Sequence, residues 1–372
     1  MAITITELAD IEMAMGPLSR RGFSGVAVAL MAGTRVFGAG VANPFDYAGP
    51  DRRKFLEDGA RREARLMFYS SLIPNLGLKA IVDGFKGKYP FVATETWRGT
   101  EGNIAQKMLA ELRSGKILGD LMEGSELAPL FIKSGLLQKF SSPEIMKTPA
   151  EYRDRSGLTA ATRFSYYGIA YNTKLVPRGT QPQSFDDLLD GKWKNRLAWR
   201  VGSDSGAHMF VANILITMGE AKADAYLKSL AAQRVVGFPG SAQALIDRVI
   251  AGEYAVTLTT AQHLPIIAAL KGAPISAQPL QPMPSTVASI MIPKGTTHPY
   301  AAMLFVDYVL SAEGQTVLRD AQYFPVNEEV QPLKALQPVS PRLAGLKENF
   351  IDDEVLYATH AKVAALLKKH FG

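Results

Sequence analysis

The 372-residue sequence contains no cysteine. That excludes disulfides, thiolate nucleophiles, cysteine-ligated zinc and iron–sulfur clusters. It also excludes lipid attachment through an N-terminal cysteine. No apolar run is long enough to span a bilayer. The stretch from Val26 to Ala42 is short and is interrupted by Thr34-Arg35. Enzyme signatures are equally scarce. There is no phosphate-binding G-x-x-x-x-G-K-[ST], and no G-x-G-x-x-G follows a strand. Gly202-Ser203-Asp204-Ser205-Gly206 has Asp204 where a nucleophile elbow needs serine. The five histidines show no H-E-x-x-H or other metal-ligand spacing. The expectation is therefore a non-catalytic protein with no cofactor and no resident metal.

What is present is globular: 47% of residues are hydrophobic and 20% charged. The length allows about two domains of ~150 residues. Lysine and arginine total 41 against 35 acidic residues, a formal charge of +6. The excess is spread along the chain, so nucleic acid is not an expected partner. It suits an exported protein that meets anions.

Ser19-Arg20-Arg21-Gly22-Phe23 precedes the apolar stretch that ends in Gly38-Ala39-Gly40-Val41-Ala42. A basic pair, a modest apolar core and a small-residue end read as an export signal over 1–42. The paired arginines look like a twin-arginine signal, an address for folded cargo. Three basic and three acidic residues lie in 1–42, so the +6 balance survives its removal. The expected location is the periplasm. Residues 43–62 are polar and read as a loose N-terminal arm with a short helical piece.

From residue 63 short apolar runs alternate with helical spacing. Strands are expected over 65–69, 91–97 and 118–122, with helices between them and a helix capped by Ser125 that ends near Gly135. A second such series includes strands at 164–172, 197–201 and 254–258. This rhythm implies mostly parallel α/β sheets. Prolines 274, 279, 282 and 284 mark a connection that cannot sit in a central strand. A strand resumes at 289–292. Pro299 opens a helix with His298 or Thr297 as its cap. A last helix spans about 353–369.

In open α/β sheets, ligands gather outside the carboxyl ends of strands, near helix N-termini. The residues there are Ser70 and Ser71; Arg98, Gly99 and Thr100; Glu123 and Ser125; Ser203, Ser205, Gly206 and His208; and Thr259, Thr260, Gln262 and His263. Small hydroxyl and glycine residues let backbone N–H groups converge on an anion. Arg98 adds a fork matched to phosphate or carboxylate oxygens. Tyr166 and Tyr167 are adjacent in a strand, so only one of them faces a given cleft.

Several segments then form a familiar series: a strand ending in Ser-Ser, Trp-Arg-Gly-Thr, Gly-Asp-Leu-Met-Glu-Gly-Ser, Ser-Tyr-Tyr-Gly-Ile-Ala-Tyr-Asn-Thr-Lys-Leu-Val at 165–176 and Tyr-Phe-Pro-Val-Asn at 323–327. Over roughly 63–335 the chain resembles the extracellular solute-binding proteins of ABC importers, in the branch of ferric-iron-binding and related anion-binding proteins. The resemblance implies two α/β lobes, a type II periplasmic-binding-protein fold, joined by hinge strands near 163–171 and 284–292. Lobe 1 would comprise 63–163 and 286–335; lobe 2 would comprise 164–285 and 336–372. A small ligand would bind between the lobes and be passed to ABC permease subunits in the inner membrane by a monomeric protein. Iron-binding members carry a tyrosine pair where this chain has Thr259-Thr260. With Arg98 and the hydroxyl-bearing loops, that favours a small anionic organic solute: a phosphonate, sugar phosphate or carboxylate. A ferric-iron carrier and a secreted enzyme are the alternatives.

Overall fold

A computed structural model describes residues 43–125, 127–202 and 204–372. The expected export signal at 1–42 and Ser203 lie outside the described residues. Helix α1 (Arg52–Glu63) leads into strand β1 (Arg65–Ser70), α2 (Lys79–Lys88), β2 (Ala93–Arg98), α3 (Glu101–Ser114), β3 (Leu121–Gly124) and α4 (Ala128–Ser134). Strand β4 (Thr159–Asn172) follows, then β5 (Leu197–Arg200), α5 (Met209–Met218), α6 (Glu220–Ala231), β6 (Val236–Phe238), α7 (Ala242–Ala251) and β7 (Val256–Ala261). The chain continues through α8 (His263–Leu270), β8 (Ile275–Gln278), β9 (Met283–Met291), α9 (Pro299–Leu310), α10 (Ala312–Asp320) and β10 (Phe324–Pro325). It ends with α11 (Pro341–Ala344), β11 (Glu348–Phe350) and α12 (Asp353–Phe371).

The strands run in the order β2-β1-β3-β9-β4-β7-β5-β6. β1 pairs in parallel with β2 and β3, and β5 in parallel with β6 and β7. Between these two parallel sets stand the long antiparallel strands β4 and β9, paired from Thr159 opposite Met291 to Tyr166 opposite Ser285 with one shift of register between Ala161 and Arg163. Beyond Tyr166, β4 pairs instead with β7 and β8. One strand thus serves both halves of the fold. All fourteen of its residues are buried, as expected for a strand covered on both faces.

Each half has its own apolar core. The first gathers Leu66, Phe68, Phe85 and Phe305, with the Phe68 and Phe85 rings 4.8 and 4.9 Å from that of Phe305. The second gathers Trp193, Trp199, Phe210 and Leu227. Helix α12 closes this second core with Leu356, Val363 and Leu366, and its Phe371 ring lies 4.5 Å from Trp199. Asp352 caps α12 by accepting from the Val355 N–H at 2.7 Å.

The structure corrects several local expectations. The arm at 43–62 is not loose. Phe45, Leu56 and Ala60 are buried in the first core, and the Arg52 fork grips Asp307 at 2.7 and 3.0 Å. Proline did not keep β9 from reaching back to Met283. Pro284 lies outside the β4 ladder and opposes only Asn349 of β11, a strand-end position where its missing N–H breaks no central bond. Ser125 does not cap α4, which begins three residues later at Ala128. His298 stands at the expected N-cap position of α9, but its side chain does not cap the helix. The Glu63 carboxylate does so from α1, accepting from Tyr300 N–H at 3.2 Å and Ala301 N–H at 2.8 Å. His298 turns instead to Asp120, 3.0 Å away. Among the described residues no helix is long and apolar enough to cross a membrane.

Candidate functional site

After β1, residues Pro74–Leu78 make one wide π-helical turn before α2. After β5, residues Asp204–His208 enter α5 across a kink at Gly206, whose φ of −109° and ψ of −123° are not helical. Both segments follow strand ends near a cavity between the two parallel sets.

That cavity, of about 140 Å³, is sized for a small solute. Ser71 and Ser125 reach it from the ends of β1 and β3, and Glu101 from the start of α3. Arg163, Ser165 and Tyr167 reach it from β4, at alternate positions along one face. Arg200 at the end of β5, Thr259 and Thr260 on β7, and His263 at the start of α8 complete the far wall. Tyr323, just before β10, also lines it. Polar donors thus converge from both parallel sets, with the shared strand β4 as the floor.

The electrostatics centre on Arg163. It is only 6% exposed. Its guanidinium makes a close ion pair with Glu123 of β3, and its Cζ lies 5.2 Å from the centre of the Tyr323 ring. His263 is buried at the start of α8, and burial, reinforced by the Arg163 charge, lowers its pKa to about 3. The imidazole is therefore neutral at neutral pH. The hydroxyls of Thr259 and Thr260 and Nδ1 of His263 are buried without hydrogen-bond partners among the described residues. Buried polar atoms are normally satisfied, so each of these wants a partner from a ligand or water.

Of the residues expected from the sequence, Ser71, Ser125, Tyr167, Thr259, Thr260 and His263 come together on the cavity wall. The others do not line it. Ser70 is buried behind the wall and donates to Glu123 Oε2 at 2.7 Å. Arg98 is exposed at the end of β2, Gly99 is buried, and Thr100 caps α3 by accepting from Asn103 N–H at 3.3 Å. Tyr166 points away from the cavity, with its ring 4.8 Å from Phe324. Gln262 braces the hinge, donating from Nε2 to the Ile169 carbonyl at 3.2 Å. His208 stacks on His360 of α12 at 4.3 Å. Gly206 lets the loop press against β5, since a Cβ there would sit 2.2 Å from the Arg200 carbonyl oxygen. Ser203 and the Ser205 side chain lie outside the described residues.

Sequence reasoning missed Arg163, Ser165, Arg200 and Glu101 on the wall. Arg163 had left a signal: an arginine inside the apolar run 159–172 must be paired or functional, because arginine is almost never fully buried alone. Arg200 sits two residues before Gly202-Ser203-Asp204-Ser205-Gly206. No group of three histidine, aspartate or glutamate side chains suited to a metal ion occurs among the described residues.

The same architecture recurs in solved structures. The chain is similar to the periplasmic binding protein AfuA from Actinobacillus pleuropneumoniae, solved with exogenous fructose-6-phosphate bound (TM-score 0.70, 23% identity, 82% of this chain and 98% of that one). It is similar to iron-bound HitA from Pseudomonas aeruginosa (TM-score 0.70, 21% identity, 83% and 100%). It is also similar to the Trichodesmium protein IdiA (FutA) in complex with iron and citrate (TM-score 0.66, 18% identity, 82% and 99%). At these identities the likeness establishes a two-lobed periplasmic-binding-protein fold. No curated protein matches the sequence. Residues 118–351, well over half of the chain and including β4, β7 and the hinge, match the family described as bacterial extracellular solute-binding proteins. The chain belongs to that family.

Proposed function

We propose that this protein binds a small anionic organic solute in the inter-lobe cavity and delivers it to the permease of an ABC importer. The solute is a phosphonate, a sugar phosphate or a carboxylate. The protein acts without catalysis, as a monomer in the periplasm, exported by the twin-arginine route. The same reading divides the chain into lobe 1 over 63–163 and 286–335 and lobe 2 over 164–285 and 336–372. Closure of the lobes on the solute supplies the surface that the permease reads.

The observation that carries this is a cavity lined by two arginines and by serine, threonine and tyrosine hydroxyls, two of them buried and unpartnered. Arginine forks and hydroxyl donors match oxyanion geometry. AfuA, solved with a sugar phosphate, has the same fold.

Ferric iron is the second reading. Tyr167 and Tyr323 share the cavity wall, and HitA was solved with iron. Iron would need phenolates, however, and burial pushes the Tyr323 pKa up. A thermal-shift screen separates the readings. A ligand present at 100 times its Kd adds about 2.7 kcal/mol of stability, so the true anion raises the melting temperature by several degrees. If only ferric salts do so, with a coloured protein, the anion reading fails.

The two adjacent tyrosines supply a finer test. Tyr167→Phe should weaken binding of the identified solute by about tenfold, the loss of one hydrogen bond to a charged group. Tyr166→Phe, whose ring faces away from the cavity, should leave the affinity unchanged in calorimetry. Equal effects from the two variants would overturn the assignment of the cleft-facing side.

A further inference from the structure

Glu123 does not line the cavity, yet its position is unusual. It is 1% exposed, in the middle of the fold. Oε2 accepts from the Ser70 hydroxyl at 2.7 Å. Oε1 accepts from the Thr162 hydroxyl at 3.2 Å and from Nη1 of Arg163. Arg163, by contrast, reaches the cavity, where Glu101 and Tyr323 are its other neighbours. One buried cation is therefore shared between a carboxylate behind the wall and whatever fills the space in front of it.

We propose that Glu123 is a positioning and specificity-determining residue, an internal stand-in for the solute's anion. It holds the Arg163 guanidinium while the cleft is empty, and its charge weakens the pull of that guanidinium on every negative charge a solute carries. The inference rests on the anion reading above. Its physical basis is simple. A buried arginine left alone carries a large desolvation cost, which a close carboxylate relieves. Ser70 and Thr162 keep that carboxylate in one orientation. An incoming anion meets Arg163 already partly neutralised and is repelled by Glu123 just behind it. A monovalent carboxylate meets that repulsion once. A divalent oxyanion meets it about twice over, because the Coulomb energy scales with the solute's charge. Glu123 thereby filters solutes by charge without touching them.

The test compares wild-type protein with Glu123→Gln, which keeps the shape and an acceptor oxygen but removes the charge. The probes are inorganic phosphate at pH 8, as the divalent anion, and acetate, as the monovalent one, both measured by calorimetry. The variant should melt lower when empty and bind both probes more tightly. Phosphate, with two charges, should gain the larger factor, about tenfold more than acetate, so that the ratio of phosphate to acetate affinity rises. A merely structural Glu123 would lower the melting temperature and leave the phosphate-to-acetate ratio unchanged, and that result overturns the proposal. If Glu123→Gln does not fold, inorganic phosphate during expression and refolding should restore soluble protein, because it replaces the missing counter-charge. Sodium chloride at equal ionic strength should not, and failure of phosphate to rescue overturns the proposal too. Wild-type protein that binds no anion at all overturns the anion reading itself. Binding that Glu123→Gln leaves unchanged overturns this inference alone.

Discussion

Replacing Arg163 with methionine is expected to cost both stability and solute binding, through separable causes. The stability loss comes from Glu123. Its carboxylate stays buried at 1% exposure with its cationic partner gone. Breaking such a pair costs about 3–5 kcal/mol. The binding loss comes from the removal of a charge-assisted contact at the floor of the cavity, about 2–3 kcal/mol or some hundredfold in affinity. The double variant Arg163→Met/Glu123→Gln separates the two. Without the stranded charge it should recover most of the melting temperature, because replacing a whole buried pair is often neutral. It should not recover affinity. Chemical denaturation and calorimetry on the single and double variants read the two quantities independently. A single variant that binds its solute normally would remove Arg163 from the site.

His263 should make the fold acid-sensitive in a defined window. Its pKa is about 3 in the folded protein, against an ordinary value of 6.5. Between those values the unfolded chain holds a proton that the folded protein excludes. Stability therefore falls as pH drops from about 6.5 towards 3, by ~1.4 kcal/mol for each pH unit. Glu63 acts in the opposite sense. Burial raises its pKa from 4.5 to about 7, so the folded protein gains a proton over that range and stability falls as pH rises through it. Across pH 4.5–6.5 the two contributions oppose each other in the wild type. Comparison with His263→Gln isolates the histidine, since both proteins carry Glu63. Between pH 6.5 and 4.5 the wild type should lose about 2–3 kcal/mol relative to the variant in urea unfolding. Parallel pH profiles would mean that the imidazole is not held neutral.

The hinge shows how far local pattern carries. The apolar run 164–172 marks β4, and the structure extends it back to Thr159 because β9 pairs with it from Thr159 to Tyr166, before β7 and β8 take over from Tyr167 onwards. Gly168 interrupts the run in sequence but not in space. A Cβ there would sit 2.8 Å from the Gln278 carbonyl oxygen and 2.9 Å from the Gln262 side chain, so glycine is what lets the crossover close. Strands β6, β8, β10 and β11 have between two and four residues each. Elements that short exist because a partner strand is already in place, and they leave little periodic signal.

The cleft divides along the same line. Strand-end serines, threonines and the Tyr166-Tyr167 pair are visible as residues, because strand ends and alternation are local properties. Which of them share a wall is not local. Ser70 and Ser71 are neighbours in the chain, yet one is bound to Glu123 behind the wall and the other lines the cavity. Arg98 has the chemistry of an anchor but ends on the surface, whereas Arg163, inside an apolar strand, takes the cavity floor. Composition and alternation were enough to establish an α/β chain with its polar groups at strand ends. Long-range pairing decided which arginine enters the cleft and which glutamate neutralises it. Burial and counter-charge arise only when β3, β4 and β9 come together, and nothing in the neighbouring sequence encodes that meeting.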